Sequence, residues 1–213
     1  MVLWHNNGKA QIDKDANFTL SIVADKYYII DKNGDTLKKL SDLRRVEQFD
    51  YRGFAKVTKE AENYLVDTLG NAYRVAYNIE DLTPDIVALD LSEQKLEALP
   101  EIVCEQRQLK VLLLNNNRLT NLPESITKLV NLQTLHLKQN KLTILSESIN
   151  NLINLQTLNL SGNKFSTLPE SVTKLTNLRI LDLSINNLNN LPESIGKLTN
   201  LQELNLGYNR FIA

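Results

Sequence analysis

The sequence contains too few cysteine and histidine residues for the usual cross-links and metal sites of small proteins. One cysteine and two histidines are present among 213 residues. A single cysteine cannot form a disulfide within one chain, and this set is too small for a zinc site built from cysteine and histidine. The sequence therefore predicts neither a disulfide scaffold nor a metal site, and it indicates no cofactor.

An excess of charge of one sign and long apolar runs are also missing. Lys and Arg number 24 against 25 Asp and Glu, which gives a formal net charge of -1. Such a chain is not expected to bind nucleic acid or an anionic membrane through bulk charge. No run approaches the 18 apolar residues of a membrane span, and the first residues lack the basic and apolar segments of a secretory signal. These absences predict a cytoplasmic protein.

Leucine and aromatic residues are unevenly distributed, and this divides the chain into two regions. Residues 1–85 contain 10 of the 13 aromatic residues and 8 leucines, whereas residues 86–213 contain 31 leucines. The polar segment 78–85 is the expected joint, since Pro84 disfavours a helix just before it. We predict one domain over residues 1–80 and a second over residues 81–213.

The second region repeats every 23 residues. Written in rows of 23, it aligns without gaps as five complete rows and a partial sixth, each close to LxxLxLxxNxLxxLPxxIxxLxx. A fixed period of this length indicates a solenoid, in which each row packs on the next. Positions within a row are numbered 1 to 23 below, and the rows begin at Ile86, Leu109, Leu132, Leu155, Leu178 and Leu201.

Each row has a readable local structure. Leucines at positions 4 and 6 share one face of an extended chain, so positions 3–5 are predicted to form a short strand. Position 9 carries an amide, which suits a buried column that satisfies backbone groups of neighbouring rows. Pairs such as Glu124 and Lys128, four residues apart, predict a short solvated helical turn on the outer side. The amides are Gln94, Asn117, Asn140, Asn163, Asn186 and Asn209.

These rows resemble the leucine-rich repeat family, whose consensus LxxLxLxxNxL they match over residues 86–213. The resemblance implies an α/β fold, a right-handed solenoid with a parallel sheet on its concave side and short helical turns on its convex side. Ser146 replaces the proline of the third row. Gln94 and Gln106 replace core residues of the first row, so residues 1–85 are expected to cap that end of the solenoid.

The first region repeats weakly, with an offset of 36 residues. Residues 26–35 align with residues 62–71, and Phe18 aligns with Phe54. Aromatic and β-branched runs separated by Asn-Gly or Leu-Gly indicate hairpins, so we predict a small antiparallel β-meander. The region resembles bacterial WG-type repeats over residues 17–76, although Tyr27-Tyr28 and Asn63-Tyr64 stand where that family has Trp-Gly. The acidic segment 31–35 has its glycine in the wrong place for a calcium loop and is predicted to be a hairpin turn.

Catalytic arrangements are not indicated. The phosphate-binding pattern GxxxxGK[ST] is absent. His136 and Asp182 share position 5 but are separated by Asn159, which puts their backbones roughly 10 Å apart, whereas a general-base pair needs about 3 Å. Cys104, at an outer-turn position, has no visible base partner and is predicted to be a plain surface or half-buried residue. We predict that the protein is not an enzyme.

The binding surface is predicted from the positions that vary between rows. Core positions hardly change, whereas positions 3, 5, 7 and 8 differ from row to row and carry apolar residues that are poor choices for a face in contact with water alone. We predict a non-enzymatic module that binds a protein partner on its concave face. The alternative is the sensing arm of a larger signalling protein or effector enzyme. The predicted partner-binding residues are Val111, Leu113, Asn116, His136, Gln139, Asn159, Ile180, Asp182, Ile185, Asn205 and Tyr208.

Two further surfaces have alternative interpretations at this stage. Position 10 is basic in five of the six rows, which suits either an acidic ligand or a solvated edge neutralised by the glutamates at position 16. The last row has no polar cap after Phe211, so either the natural chain continues or two copies associate through the open strand edge, and self-association is the prediction. The basic residues of position 10 are Lys95, Arg118, Lys141, Lys164 and Arg210.

Overall fold

The structure is a computed structural model that describes residues 18–23, 26–31, 36–40, 45–46, 54–59, 62–67 and 71–211, with side chains from residue 54 onward. The chain forms two compact units, Met1–Val75 and Ala76–Ala213. The predicted domain limits, 1–80 and 81–213, stay a prediction. No helix in the described ranges is long and apolar enough to cross a bilayer.

The N-terminal strands are antiparallel and repeat with the predicted offset. A three-stranded sheet has the order β1, β2, β3, and β4 to β7 pair in sequence order. Phe18 of β1 opposes Asp31 of β2, just as Phe54 of β5 opposes Asp67 of β6. The meander is therefore confirmed. The strands are β1 (Phe18–Val23), β2 (Lys26–Asp31), β3 (Thr36–Leu40), β4 (Arg45–Val46), β5 (Phe54–Lys59), β6 (Glu62–Asp67) and β7 (Ala72–Ala76).

Asp67 stabilises the connection between β6 and β7. Its carboxylate accepts hydrogen bonds from the backbone and side-chain amides of Asn71, both at 2.8 Å, and from the Tyr73 hydroxyl at 3.0 Å. Burial, followed by the nearby Asp67 charge, raises the pKa of Tyr73 well above its usual range. The predicted turns at residues 32–35 and 68–70, and with them the rejected calcium loop, lie outside the described residues, and the likeness to WG-type repeats stays a prediction.

The repeat rows form strands at the predicted positions. In each row positions 3–5 are a strand, and each strand pairs in parallel with its counterpart one row away, as Leu135 pairs with Leu112 and Leu158. In rows one to five the leucines at positions 4 and 6 lie in one hydrophobic core that continues through the rows. The strands are β8 (Ala88–Asp90), β9 (Val111–Leu113), β10 (Thr134–His136), β11 (Thr157–Asn159), β12 (Ile180–Asp182) and β13 (Glu203–Asn205).

The two ends of the core differ. At the first row, Ala76 is buried and Ile79 and Leu82 pack against the core. The longer side chain of Gln94 donates to the carbonyl of Tyr77 at 2.8 Å. Residues 76–82 thus close the first row, while a capping role for residues 1–85 as a whole stays a prediction.

At the last row, the core side chains are more exposed. Leu204 is 40% and Phe211 41% exposed, whereas Leu181 and Leu188, their counterparts one row earlier, are fully buried. An apolar face of this kind is available to a further chain segment or to a second molecule. Self-association through it stays a prediction.

The outer turns are helical, but their charged residues pair differently from the prediction. Lys128 contacts Glu105 of the preceding row at 2.5 Å, and Glu124 accepts hydrogen bonds from Ser146 and Ser148 of the next row. The predicted helical turn is present, but Glu124 and Lys128 contact neighbouring rows and not each other, because a 3-10 helix has three residues per turn and places residues four apart on different faces. The turns are α1 (Glu101–Cys104) and the 3-10 helices Glu124–Lys128, Glu147–Asn151, Glu170–Lys174 and Glu193–Lys197.

Candidate binding surface

The asparagine at position 9 fixes the spacing of the rows. The side-chain amide of Asn163 donates to the carbonyl of Leu137 in the preceding row and to that of Leu160 in its own row, both at 2.9 Å. Its side-chain oxygen accepts from the Leu142 backbone amide at 3.0 Å. The predicted buried amide column is confirmed for rows two to five, whereas Gln94 of the first row is exposed and Asn209 of the last is half-buried. The same three contacts recur at Asn117, Asn140, Asn186 and Asn209.

A second asparagine ladder, which the sequence reasoning missed, lies at position 23. Asn154 donates its side-chain amide to the Val130 carbonyl of the preceding row at 2.8 Å. The signal was available, because position 23 is asparagine in every row from the second to the fifth. The other members are Asn131, Asn177 and Asn200.

Polar side chains of position 5 are held by the turn that follows each strand. The Asp182 carboxylate accepts from the backbone amide of Ser184 at 3.0 Å and from its hydroxyl at 2.7 Å. Asn159 accepts from Ser161 in the same way, at 3.0 and 2.7 Å. These side chains therefore present fixed polar groups on the face of the sheet that points away from the core.

Position 8 adopts the left-handed backbone conformation in all six rows. Side chains other than glycine pay roughly 1–2 kcal/mol for this conformation, and a β-branched residue there is a marked outlier. The fourth row has Gly162 at this position, whereas the fifth has Ile185 with φ 55° and the sixth has Tyr208 with φ 57°. The remaining residues of the column are Glu93, Asn116 and Gln139.

Three of the predicted partner-binding residues are buried, which corrects the expectation that they face solvent. Val111 and Leu113 are fully buried and His136 is 4% exposed. The run Val111–Leu114 is apolar at every position, which is the pattern of a parallel strand covered on both faces. In the last three strands position 5 is polar, with Asn159, Asp182 and Asn205, as the open face of a half-covered sheet requires. These three side chains are not accessible to a partner in this structure.

Most of the accessible residues of the predicted surface lie in the last three rows. Asn159, Ile180 and Asp182 are half-buried and Asn205 is exposed. Ile185 is 47% exposed, and Tyr208 in the adjacent row is 87% exposed. Of the remaining predicted residues, Asn116 and Gln139 are exposed in earlier rows. We use the name C-terminal strand face for Asn159, Ile180, Asp182, Ile185, Asn205 and Tyr208.

The residues weighed for catalysis are separated or buried. Asn159 lies between His136 and Asp182 in the strand register, as expected. Cys104 is fully buried rather than half-buried, because its side chain turns into the core. Burial raises the pKa of its thiol, which lowers the thiolate fraction at neutral pH. Among the described residues, no group of three or more potential ligands is placed to hold a metal ion.

Comparison with known proteins agrees with this architecture. A family model described as a leucine-rich repeat region matches residues 124–210, and a second leucine-rich repeat model matches residues 108–129. A solved structure, a leucine-rich repeat protein of Leptospira interrogans, is 38% identical with a TM-score of 0.58. The match covers 59% of this chain and 32% of that one, so it spans about a third of the solved protein. No curated protein matches the sequence. Residues 108–210, within the C-terminal unit, therefore contain leucine-rich repeats.

Proposed function

We propose that this chain is a non-enzymatic protein-interaction module whose partner binds the C-terminal strand face. Leucine-rich repeat domains are typically protein-interaction modules, and this general role is shared by the family to which the chain is similar. The choice of face rests on observations of this chain's own residues.

The observation that carries the proposal is the pair formed by Ile185 and Tyr208. Both are large side chains in the left-handed conformation, where Gly162 shows the residue that the backbone favours. Because these side chains are 47% and 87% exposed, burial of apolar surface does not offset the free-energy cost of the left-handed conformation. Strain of this kind is commonly kept at functional sites.

The backbone beside the pair is held by a hydrogen bond between rows. The backbone amide of Ile185 donates to the carbonyl of Gly207 at 2.8 Å, which brings the fifth and sixth rows together beside Tyr208. The isoleucine–tyrosine pair lies in the same two rows as Asp182 and Asn205, whose side chains accept hydrogen bonds from the turns that follow them. This is the composition of an interface centre with a polar rim.

The test compares the proteins that are cross-linked from a position on the proposed face with those cross-linked from a control position elsewhere. A photo-cross-linking amino acid at position 208 is expected to capture a specific protein from the native lysate. The same amino acid at position 153 is the control, because Ile153 is a 61% exposed isoleucine in the loop that leads to the next row. A product formed equally from both positions would contradict the proposed face.

The affinity of the captured protein is then measured with purified variants. Ile185→Asn is expected to weaken binding by about tenfold, the effect of a central interface residue. Ile153→Asn is expected to change it by less than twofold. Equal losses from the two variants would assign the interaction to another surface.

A further inference from the structure

The basic residues of position 10 form a line across the rows. All five, Lys95, Arg118, Lys141, Lys164 and Arg210, are exposed. The backbone amide of position 10 donates to the position 11 carbonyl of the preceding row, as Arg118 does to Leu96 and Lys164 to Leu142, both at 2.8 Å. Rows stacked in this way are about 4.8 Å apart, so the first four cations are spread over roughly 15 Å.

In the part of the chain that the structure describes, no position 16 glutamate forms an ion pair with a position 10 cation. Glu124 accepts hydrogen bonds from Ser146 and Ser148, and Glu170 accepts one from Ser194. Within the described part of the chain, the ion pair at the position 10 column is between Arg118 and Glu97, at 3.9 Å and with both side chains more than half exposed. Like charges on adjacent rows repel, so the line lowers stability slightly unless an anion binds to it.

A column of hydroxyl groups runs beside the cations. Position 11 holds Leu119, Leu142 and Phe165 in rows two to four, and all three side chains are buried. Positions 10 and 12, on either side of it, therefore both face solvent. Position 12 is Thr120, Thr143 and Ser166 in these rows, all exposed. Rows two to four therefore offer three cations and three hydroxyl donors without an interleaved carboxylate, which suits a ligand rich in carboxylates.

We propose that the position 10 and 12 columns of rows two to four bind an extended acidic peptide segment that runs across the rows. A peptide rises about 3.3 Å per residue when extended, so four to six residues span the line of cations. Nucleic acid is disfavoured because single strands depend on stacking with aromatic side chains, and these two columns contain none in rows two to four. The position 10 and 12 columns share no residue with the C-terminal strand face, and they can be tested without knowledge of a partner there.

The experiment measures fluorescence anisotropy of a labelled peptide of six glutamates with the full chain at low salt. The variant Lys141→Glu/Lys164→Glu is expected to lose about tenfold in affinity, as the replacement of exposed ion pairs by repulsions should. The control Lys174→Glu/Lys197→Glu changes the net charge equally on the 3-10 turns and is expected to lose less than twofold. An equal loss in the control would overturn the proposal in favour of bulk charge.

Two further measurements keep the result decisive. Asn187→Lys completes the line in the fifth row and is expected to tighten binding two- to threefold, an outcome that does not depend on the stability of the double variant. Thr143→Val is expected to weaken it about twofold. Absence of peptide binding, no gain with Asn187→Lys, or tighter binding of a six-thymidine oligonucleotide would each overturn the proposal.

Discussion

Asparagine occurs in two ladders whose members differ mainly in burial. Asn163 is 7% exposed, and its four hydrogen bonds reach backbone groups inside the solenoid. Asn154 makes one hydrogen bond to an exposed carbonyl. A buried group left without its partner costs about 1–3 kcal/mol, whereas water replaces the partner of an exposed one.

Asn163→Ala is therefore expected to lower the free energy of unfolding by about 1–3 kcal/mol. The measurement is a urea titration followed by circular dichroism, with Asn154→Ala as the matched control and an expected loss below about 0.5 kcal/mol. If the two variants had the same urea midpoint, burial would not distinguish the ladders.

Ile185 gives the opposite prediction for stability. Ile185→Asn removes a β-branched residue from the left-handed conformation, which asparagine tolerates well and which Asn116 adopts in the second row. Relief of this strain is expected to contribute more free energy than is lost with the packing contacts of a side chain that is 47% exposed. The free energy of unfolding is therefore expected to rise by up to about 1 kcal/mol. A clear fall in the melting temperature would show that Ile185 is kept for packing rather than for binding.

The outer turns illustrate how one type of helix decides charge pairing. Lys128 donates to Glu105 at 2.5 Å, and this contact lowers the pKa of Glu105 and raises that of Lys128. The pKa of Glu124 is lowered by a different contact, the hydrogen bonds from Ser146 and Ser148. The two glutamates can therefore be separated by one substitution.

Lys128→Met is expected to raise the pKa of Glu105 towards its ordinary value and to leave that of Glu124 unchanged. Because a glutamate with a lowered pKa stabilises the fold above its unfolded pKa, the contribution is present at neutral pH and is lost as the pH falls through the folded-state pKa. A carboxyl-detected NMR titration of both side chains measures this. A matching shift at Glu124 would mean that the turns titrate as one network.

At the scale of the molecule, structural features that follow from residues repeated every 23 positions were predictable from the sequence, and features without such a repeat were not. The strands at positions 3–5 and the amide column follow from residues that recur every 23 positions. Glu124 and Lys128 do not contact each other, because the turn is a 3-10 helix and not the α-helix that a spacing of four residues suits. The predicted exposure of Val111 was wrong, although its apolar neighbours indicated burial on both faces. The conformation of Ile185 was not predictable, because neither isoleucine nor tyrosine favours it and the rows impose it.

The first row shows how a solenoid can be closed by a segment that is not a repeat. Ile79 and Leu82 pack on the core where a preceding row would otherwise supply leucines, and Tyr77 supplies the carbonyl that Gln94 reaches. Gln94 is one methylene longer than the asparagine of later rows, which fits an acceptor that belongs to this segment.

Ile79→Ala/Leu82→Ala is accordingly expected to destabilise the repeat unit by about 2–4 kcal/mol, the lower part of the range for two core truncations since both side chains are only partly buried. Repeats stack by nearest-neighbour contacts, so the loss should begin at the first row. Hydrogen exchange at the backbone amides of Leu91 and Leu114, compared with that of Leu183, shows in which rows stability is lost. The control is Ile144→Ala, at a side chain that is 67% exposed. Uniform loss of protection in all three rows would indicate instead that the solenoid unfolds as one cooperative block.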